Sequence, residues 1–284
     1  MQSSNPEYSL RQVEQRMQQL ACEGSDRAGE AAVAHLAAGG SRVRARLALH
    51  ASFALGRPHS EAVAIAAACE LLHNASLVHD DLQDRDPLRR GRPAVWREYG
   101  DAAAICVGDL LLSSGYAALA DCGSQAARLI VRTHQRVGAV IRGQCADLGL
   151  KGRTDVSLAT YEAVASDKSG PLLSLPIELP LLLAGADRHL PLAVGAASLF
   201  AVAYQMTDDL EDVERDALNE ELNVVAVLAA AGAQSPLQAA RRLALQRFAE
   251  ARAAALALPE GAGQLLAEFA DQRIHSLTAQ RVPA

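Results

Sequence analysis

Apolar residues recur along this chain at the three-to-four-residue spacing of amphipathic helices. No run of useful length alternates with the period of two that a half-buried strand needs. The spacing predicts a first helix over residues 7–23, then two helices hinged at Gly39-Gly40 within GEAAVAHLAAGGSRVRARLALHASFALG. From Ser60, placed as an N-cap, to about Asp84 the pattern is continuously helical. A loop carrying Pro87, Gly91 and Pro93 follows over 85–93. Further helices are predicted over 94–121, 124–149, 158–166, 170–185, 190–214 and 236–280, the last broken near Pro259 and Gly261. With no internal repeat and no low-complexity linker, 1–284 reads as one all-α domain.

Composition agrees with helices. Half the residues are hydrophobic but only 4% are aromatic, and alanine, the best helix former, fills many apolar positions with leucine. A chain of 284 residues is long enough to bury a substantial core. The formal charge of -6 and pI near 5.8 speak against a nucleic-acid partner gripped by a basic surface. Cys22, Cys69, Cys106, Cys122 and Cys145 are odd in number and form no CxxC pair, as expected of scattered thiols in a reducing compartment. MQSSNPEYSL lacks a basic segment followed by an apolar one, so no secretory signal is expected. The uncharged stretch from Leu190 to Thr207 could pass for a membrane span. It contains Pro191, Gly195, Ser198 and Gln205 and runs into paired aspartates, so a buried helix is the better reading and no transmembrane segment is expected.

Two acidic clusters carry the candidate chemistry. In Asp80-Asp81-Leu82-Gln83-Asp84, residues four apart share a helix face, so Asp80 and Asp84 project together and repel unless a cation lies between them. Such hard oxygen donors suit Mg²⁺, which keeps several waters and shares its shell with phosphate oxygens. Alone, the cluster reads more readily as a solvated acidic helix end. However, Asp208-Asp209-Leu210-Glu211-Asp212 repeats the spacing 128 residues on, again at the C-terminal end of an apolar helix. Carboxylates are unfavourable there, where the helix already carries partial negative charge, so the repetition points to sites that a cation offsets. Arg89-Arg90-Gly91-Arg92-Pro93 follows the first cluster closely, and guanidinium forks recognise phosphate oxygens.

With these segments, GGSRVR, ELLHNASLVHDDLQD, LRRGRP, GDLLL at 108–112, GQCAD at 143–147, DKSG at 167–170 and YQMTDDLED occur in an order that resembles the trans-isoprenyl diphosphate synthases. The resemblance runs from about Gly39 to the C-terminal helix. It implies a helical bundle around a central apolar cavity, and a cytoplasmic homodimer that joins an allylic diphosphate to isopentenyl diphosphate with about three Mg²⁺ ions. Asp80, Asp81 and Asp84 would hold two of these ions and Asp208, with Asp212 in the same cluster, a third. Arg89 and Lys168 would grip the allylic diphosphate. Arg44, His73 and Arg90 would grip isopentenyl diphosphate, and Gln205 would lie near the reacting carbons. His79 reads as a structural neighbour of the first cluster rather than a base.

Product length should depend on what stands before Asp80 on its helix, because each turn rises about 5.4 Å, roughly one isoprene unit. Ala75 and Ser76 are small there, which predicts a product beyond fifteen carbons, with twenty favoured. Cys69, Leu71, Leu72 or Tyr116 could form a deeper floor. Two departures from the family pattern stand out. Gly39-Gly40-Ser41 lacks the usual lysine, and VERDALNEELNVVAVL after the second cluster has none, leaving Arg42 or Arg215 as substitutes. Three readings follow: a chain-elongating synthase, a class I terpene cyclase-like enzyme, or a non-catalytic partner subunit. Two unfavourable carboxylate clusters speak against the third, and retention of Arg44, His73 and Arg90 favours the first.

Overall fold

The structure, a computed structural model, describes residues 6–22 and 26–279. It is all-α apart from one two-residue hairpin. Contacts divide the chain into two compact units, Met1–Thr133 with Leu175–Gly185 and His134–Ser174 with Ala186–Ala284.

The first unit holds α1 (Pro6–Ala21), α2 (Arg27–Ala37), α3 (Val43–Ala54), α4 (His59–Gln83), β1 (Leu88–Arg89), β2 (Arg92–Pro93), α5 (Val95–Tyr99) and α6 (Asp101–Ala118). Its centre is the packing of α4 on α6, and small residues let the two helices touch. A Cβ added to Gly115 of α6 would lie 2.8 Å from Leu72 Cγ, and one added to Gly108 would lie 2.0 Å from His79 Nε2. His79 is thus a packing neighbour, as expected. Ala62, Ala64, Ala66, Ala67 and Ala68 fill the core side of α4.

α7 (Ala126–Leu148) and α8 (Leu158–Leu183) each contribute to both units. The second unit adds α9 (Leu190–Glu211), α10 (Val213–Leu218), α11 (Val224–Ala230), α12 (Pro236–Leu256) and α13 (Gln264–Ala279). Here α12 packs along α9 and α13 folds back on α12. The Arg252–Asp271 ion pair at 2.7 Å ties that return.

Several boundaries differ from the sequence reading. The N-cap of α4 is Pro58, whose fixed φ suits the approach to a first turn, so Ser60 lies inside the helix and caps nothing. The segment 94–121 splits at Gly100, whose φ of 93° only glycine adopts freely. The predicted break at 167–169 is absent, because Gly143 of α7 seats its backbone against Asp167 and Lys168 and tertiary packing carries α8 straight through. The helix predicted to 214 stops at Glu211, with Asp212 as C-cap. α11 has no counterpart in that reading, although Asn223 before an apolar run is an N-cap signal and its side chain accepts from Val225 N. Residues 23 and 280, the predicted ends of the first and last helices, lie outside the described residues.

Three stretches are long and apolar enough to cross a membrane by length and composition: His59–Gln83, Asp101–Leu148 and Asp187–Glu211. In the first, 72% of the apolar window is buried within the chain, and the second is interrupted at Gly123.

Candidate functional site

In the first unit, the end of α4 sorts its three aspartates onto two faces. His73, Ser76, Leu77 and Asp80 are half-buried, and Asp84 is exposed. Their spacing makes one accessible stripe. Asp81 points elsewhere and is only 1% exposed, with Oδ1 accepting 2.8 Å from Arg89 Nε and a second bond from Arg89 Nη2. Its other oxygen, Oδ2, is buried without a hydrogen-bond partner. Burial pushes the Asp81 carboxyl up, opposed by Arg89.

The RRGRP segment is the hairpin, with Arg89 paired to Arg92 in register. Arg90 and Gly91 sit at its tip with φ of 53° and 75°, the two positive values that a type I′ turn requires. This turn sends Arg89 to Asp81 and Arg90 Nη1 to Gly39 O. Gly40 explains why the glycine pair is kept although the following position is Ser41. A Cβ there would lie 2.7 Å from Arg90 Cζ.

Around the tip the unit gathers cations. His73 is held neutral, well below the usual imidazole range, first by burial and then by Arg44, Arg90 and Arg89. His35 is pushed down to about 4 by burial and by Arg90, with Arg89 and Arg42 adding. Arg90 is lowered by partial burial and Arg42, against the pull of buried Glu70. An anion bound here would relieve that mutual repulsion, and His73 would meet it as a neutral hydrogen-bonding group rather than a cation. Arg42 is no stand-in for the missing lysine: it is buried, donating to Leu36 O at 2.9 Å and to Glu14 at 3.2 Å.

Of the two residues read as setting product length, Ala75 is buried in the core, while Ser76 faces the accessible stripe and donates to His73 O at 2.8 Å. Cys69, Leu71 and Leu72 are buried, and Tyr116 is half-buried, its phenol pushed up by burial.

The second unit repeats the sorting on its own helix. Gln205, Asp208 and Asp212 are half-buried at the end of α9, whereas Asp209 is buried. Asp209 accepts from Tyr161 Oη at 2.8 Å, Gln205 Nε2 at 2.8 Å and Val224 N at 2.7 Å. Its carbonyl accepts from Asn223 Nδ2 at 2.8 Å, which also reaches Asp216 at 2.8 Å. Burial pushes Asp209 up to about 6 against these donors. Asp208 is pushed up to about 7, mainly by burial, with Arg273 opposing and Glu211, Asp209 and Asp212 adding. Lys168 donates to Asp147 at 2.7 Å. Arg215, the other candidate substitute, is on Asp212 at 2.8 Å and Asp216 at 3.4 Å.

The sequence reading missed Tyr161, Asn223 and Asp216, which hold the second cluster, and the pairing of Asp147 with Lys168. Only Asn223 carried a local signal. Gln205, expected to face reacting carbons, bonds here to Asp209.

The donors in both clusters are hard carboxylate oxygens, the kind Mg²⁺ takes when water and phosphate oxygens complete its shell. Among the described residues no group of three or more His, Cys, Asp or Glu side chains forms a metal site. Each cluster instead offers an accessible pair of hard oxygens, which Mg²⁺ completes with water and phosphate oxygens. The unpartnered Asp81 Oδ2 and the raised Asp208 carboxyl are both groups that a nearby cation would relieve.

The family profile described as Polyprenyl synthetase matches residues 27–224. The (2E,6E)-farnesyl diphosphate synthase of Mycobacterium tuberculosis is 40% identical over 173 residues, covering 60% of this chain and 48% of that protein. This chain therefore spans about half the length of that relative. The farnesyl diphosphate synthase of Geobacillus stearothermophilus is 32% identical over 237 residues, covering 76% and 80% of the two chains. In fold, the chain is similar to a decaprenyl diphosphate synthase from Rhodobacter capsulatus, with a TM-score of 0.86 at 22% identity over 95% of this chain and 96% of that one.

Proposed function

This chain belongs to the polyprenyl synthetase family, and from that premise we propose that it is a Mg²⁺-dependent trans-prenyltransferase joining an allylic diphosphate to isopentenyl diphosphate. One observation carries the reading. In each unit, taken by itself, an aspartate pair stands one turn apart on the accessible stripe of an apolar helix, while the aspartate beside it is anchored.

Asp80, Asp84 and the unpartnered oxygen of Asp81, and Asp208 with Asp212, would hold the metal, and the other oxygen of Asp81 fixes Arg89. Mg²⁺ held there would supply charge neutralisation for the allylic diphosphate as a leaving group. Arg89 in the first unit and Lys168, oriented by Asp147, in the second are each proposed as diphosphate-binding residues. Arg44, Arg90 and neutral His73 bind the second diphosphate. The allylic C–O bond breaks, the isopentenyl double bond forms the new C–C bond, and the released diphosphate takes the proton, so no side-chain base is needed. Ser76 on the accessible stripe leaves room for a growing tail, and a twenty-carbon product is proposed. That length is one isoprene unit beyond the farnesyl product for which the two relatives are named. A homodimer is supported by exposed Ile105 on α6 and exposed Ile130 and Val131 on α7. A cytoplasmic location without a membrane span completes the reading.

The test is purified protein with Mg²⁺, labelled isopentenyl diphosphate and dimethylallyl, geranyl or farnesyl diphosphate, followed by chromatography. Label in a twenty-carbon chain supports the proposal. Hydrocarbon from farnesyl diphosphate alone would make the chain a cyclase, the outcome that Ser41 and buried Arg42 leave to be checked. No turnover together with tight binding to a second synthase would make it a partner subunit.

Two further outcomes are expected. Gly40→Ala displaces the Arg90 guanidinium, so the KM for isopentenyl diphosphate should rise about ten-fold or more, the value of one charge-assisted phosphate contact. A lower melting temperature with unchanged KM would remove Arg90 from the site. The second concerns pH. The folded Asp208 carboxyl lies above its unfolded value, so the metal-free unfolded chain binds fewer protons between about pH 4 and pH 7. This group's contribution to stability is therefore full at low pH and lost as pH rises through about 7. Mg²⁺ should raise the melting temperature more at pH 7.5 than at pH 5.5, and Asp208→Asn should flatten that difference. Equal Mg²⁺ shifts at both pH values in the parent protein would count against Asp208 as a ligand.

A further inference from the structure

Arg89 reaches back to Asp81, eight residues earlier, so the chain must reverse at once where α4 ends. The reversal falls on Arg85, whose φ of 58° lies in the left-handed region that a helix end usually gives to glycine. Around it Asp84 N donates to Asp80 O at 2.8 Å and Asp86 N donates to Asp81 O at 3.0 Å, closing the end of the helix. Arginine is disfavoured in that conformation where glycine is not, yet its side chain is engaged on two sides. Nη1 of Arg85 donates to both Asp101 oxygens, at 3.0 and 2.9 Å, and the guanidinium lies 5.3 Å from the centroid of the Trp96 ring. Asp101 is the first residue of α6, where the partial positive charge of a helix start favours a carboxylate. Trp96 in turn donates from Nε1 to Asp86 O at 2.8 Å. The chain between α4 and α5 is therefore fastened on both sides of the hairpin, whose base is closed by Ala94 N donating to Pro87 O at 2.9 Å.

We propose that Arg85 is a positioning residue for Arg89, set in a strained turn and clasped by Asp101 and Trp96 so that the hairpin returns the Arg89 guanidinium to the acidic end of α4. This rests on the prenyltransferase reading above, in which Arg89 meets a diphosphate. Arg85 and Asp101 are both exposed, so their ion pair adds little to the stability of the fold. Its effect lies in orientation: a guanidinium that is already aimed loses less freedom when phosphate oxygens arrive. Binding and stability therefore respond differently when the clasp is removed.

The deciding variant is Arg85→Gly, because glycine adopts the left-handed turn freely and only the clasp is lost. Titration calorimetry of the full chain with inorganic pyrophosphate in excess Mg²⁺ is compared for the parent, Arg85→Gly, Arg85→Lys, Asp101→Ala and the double variant of Arg85→Gly with Asp101→Ala. Melting temperatures are recorded beside each. Arg85→Gly and Asp101→Ala should each weaken pyrophosphate binding by about three- to ten-fold, at most the value of one charge-assisted phosphate contact. The melting temperature of Arg85→Gly should stay at or above the parental one. The double variant should bind no more weakly than either single one, since both remove the same contact, and Arg85→Lys should recover part of the affinity. Parental affinity in Arg85→Gly and Asp101→Ala would overturn the proposal while leaving the prenyltransferase reading in place. Affinity that falls only in step with the melting temperature would also overturn it, making the clasp a fastening of the fold. Failure of the parent to bind Mg²⁺ and pyrophosphate at all would overturn both.

Discussion

Asp80→Asn should lower turnover on the order of 10³-fold, the usual effect of removing one element that stabilises developing charge. Its unfolding free energy should stay within about 1 kcal/mol of the parent. The reason is position: Asp80 lies on the accessible stripe of α4, where losing a charge disturbs little packing. Asp81→Asn is the informative contrast. Asp81 is buried and carries the Arg89 fork, so this change should cost about 1–3 kcal/mol. The lower part of that range follows from the partial exposure of Arg89. Asp81→Ala should abolish turnover with the helices intact, because the hairpin that aims Arg89 and Arg90 loses its tether. Steady-state kinetics and urea unfolding of the three variants decide the matter. Near-parental kcat/KM in Asp80→Asn would remove the metal assignment from α4.

Asp209→Ala is expected to have the largest effect on stability, about 2–4 kcal/mol in urea unfolding. The substitution leaves buried Tyr161 Oη and Val224 N without their acceptor where water does not replace it, and takes one from the half-buried Gln205 amide as well. It also loosens the junction between α9 and the start of α11, which Asn223 spans. Tyr161→Phe removes one donor and should cost about 1–2 kcal/mol by the same argument. A parental unfolding midpoint in Asp209→Ala would mean that the network contributes nothing, and Asp209 would join the candidate metal ligands.

These two expectations mark where local sequence reasoning stopped. The four-residue spacing of Asp80 with Asp84, and of Asp208 with Asp212, was legible because helix geometry alone puts such residues on one face. The different fate of Asp81 and Asp209 was not legible. It depends on which neighbour covers the second face: the Arg89 hairpin in one unit, Tyr161 and the α11 N-terminus in the other. Helix type was largely readable from periodicity. The boundaries that failed were those settled by packing, as where Gly143 lets α8 run unbroken past Lys168.

Local patterns were thus enough to establish an all-α chain, two acidic helix ends of matching design and a basic turn beside the first, since each follows from contacts among residues a few positions apart. Folding sorted the carboxylates into those presented and those tied down. It buried Arg42, engaged Arg215 and brought Arg273, distant from α9 along the chain, over Tyr204. Burial and long-range partners are properties of the packed chain, and no local pattern encodes them.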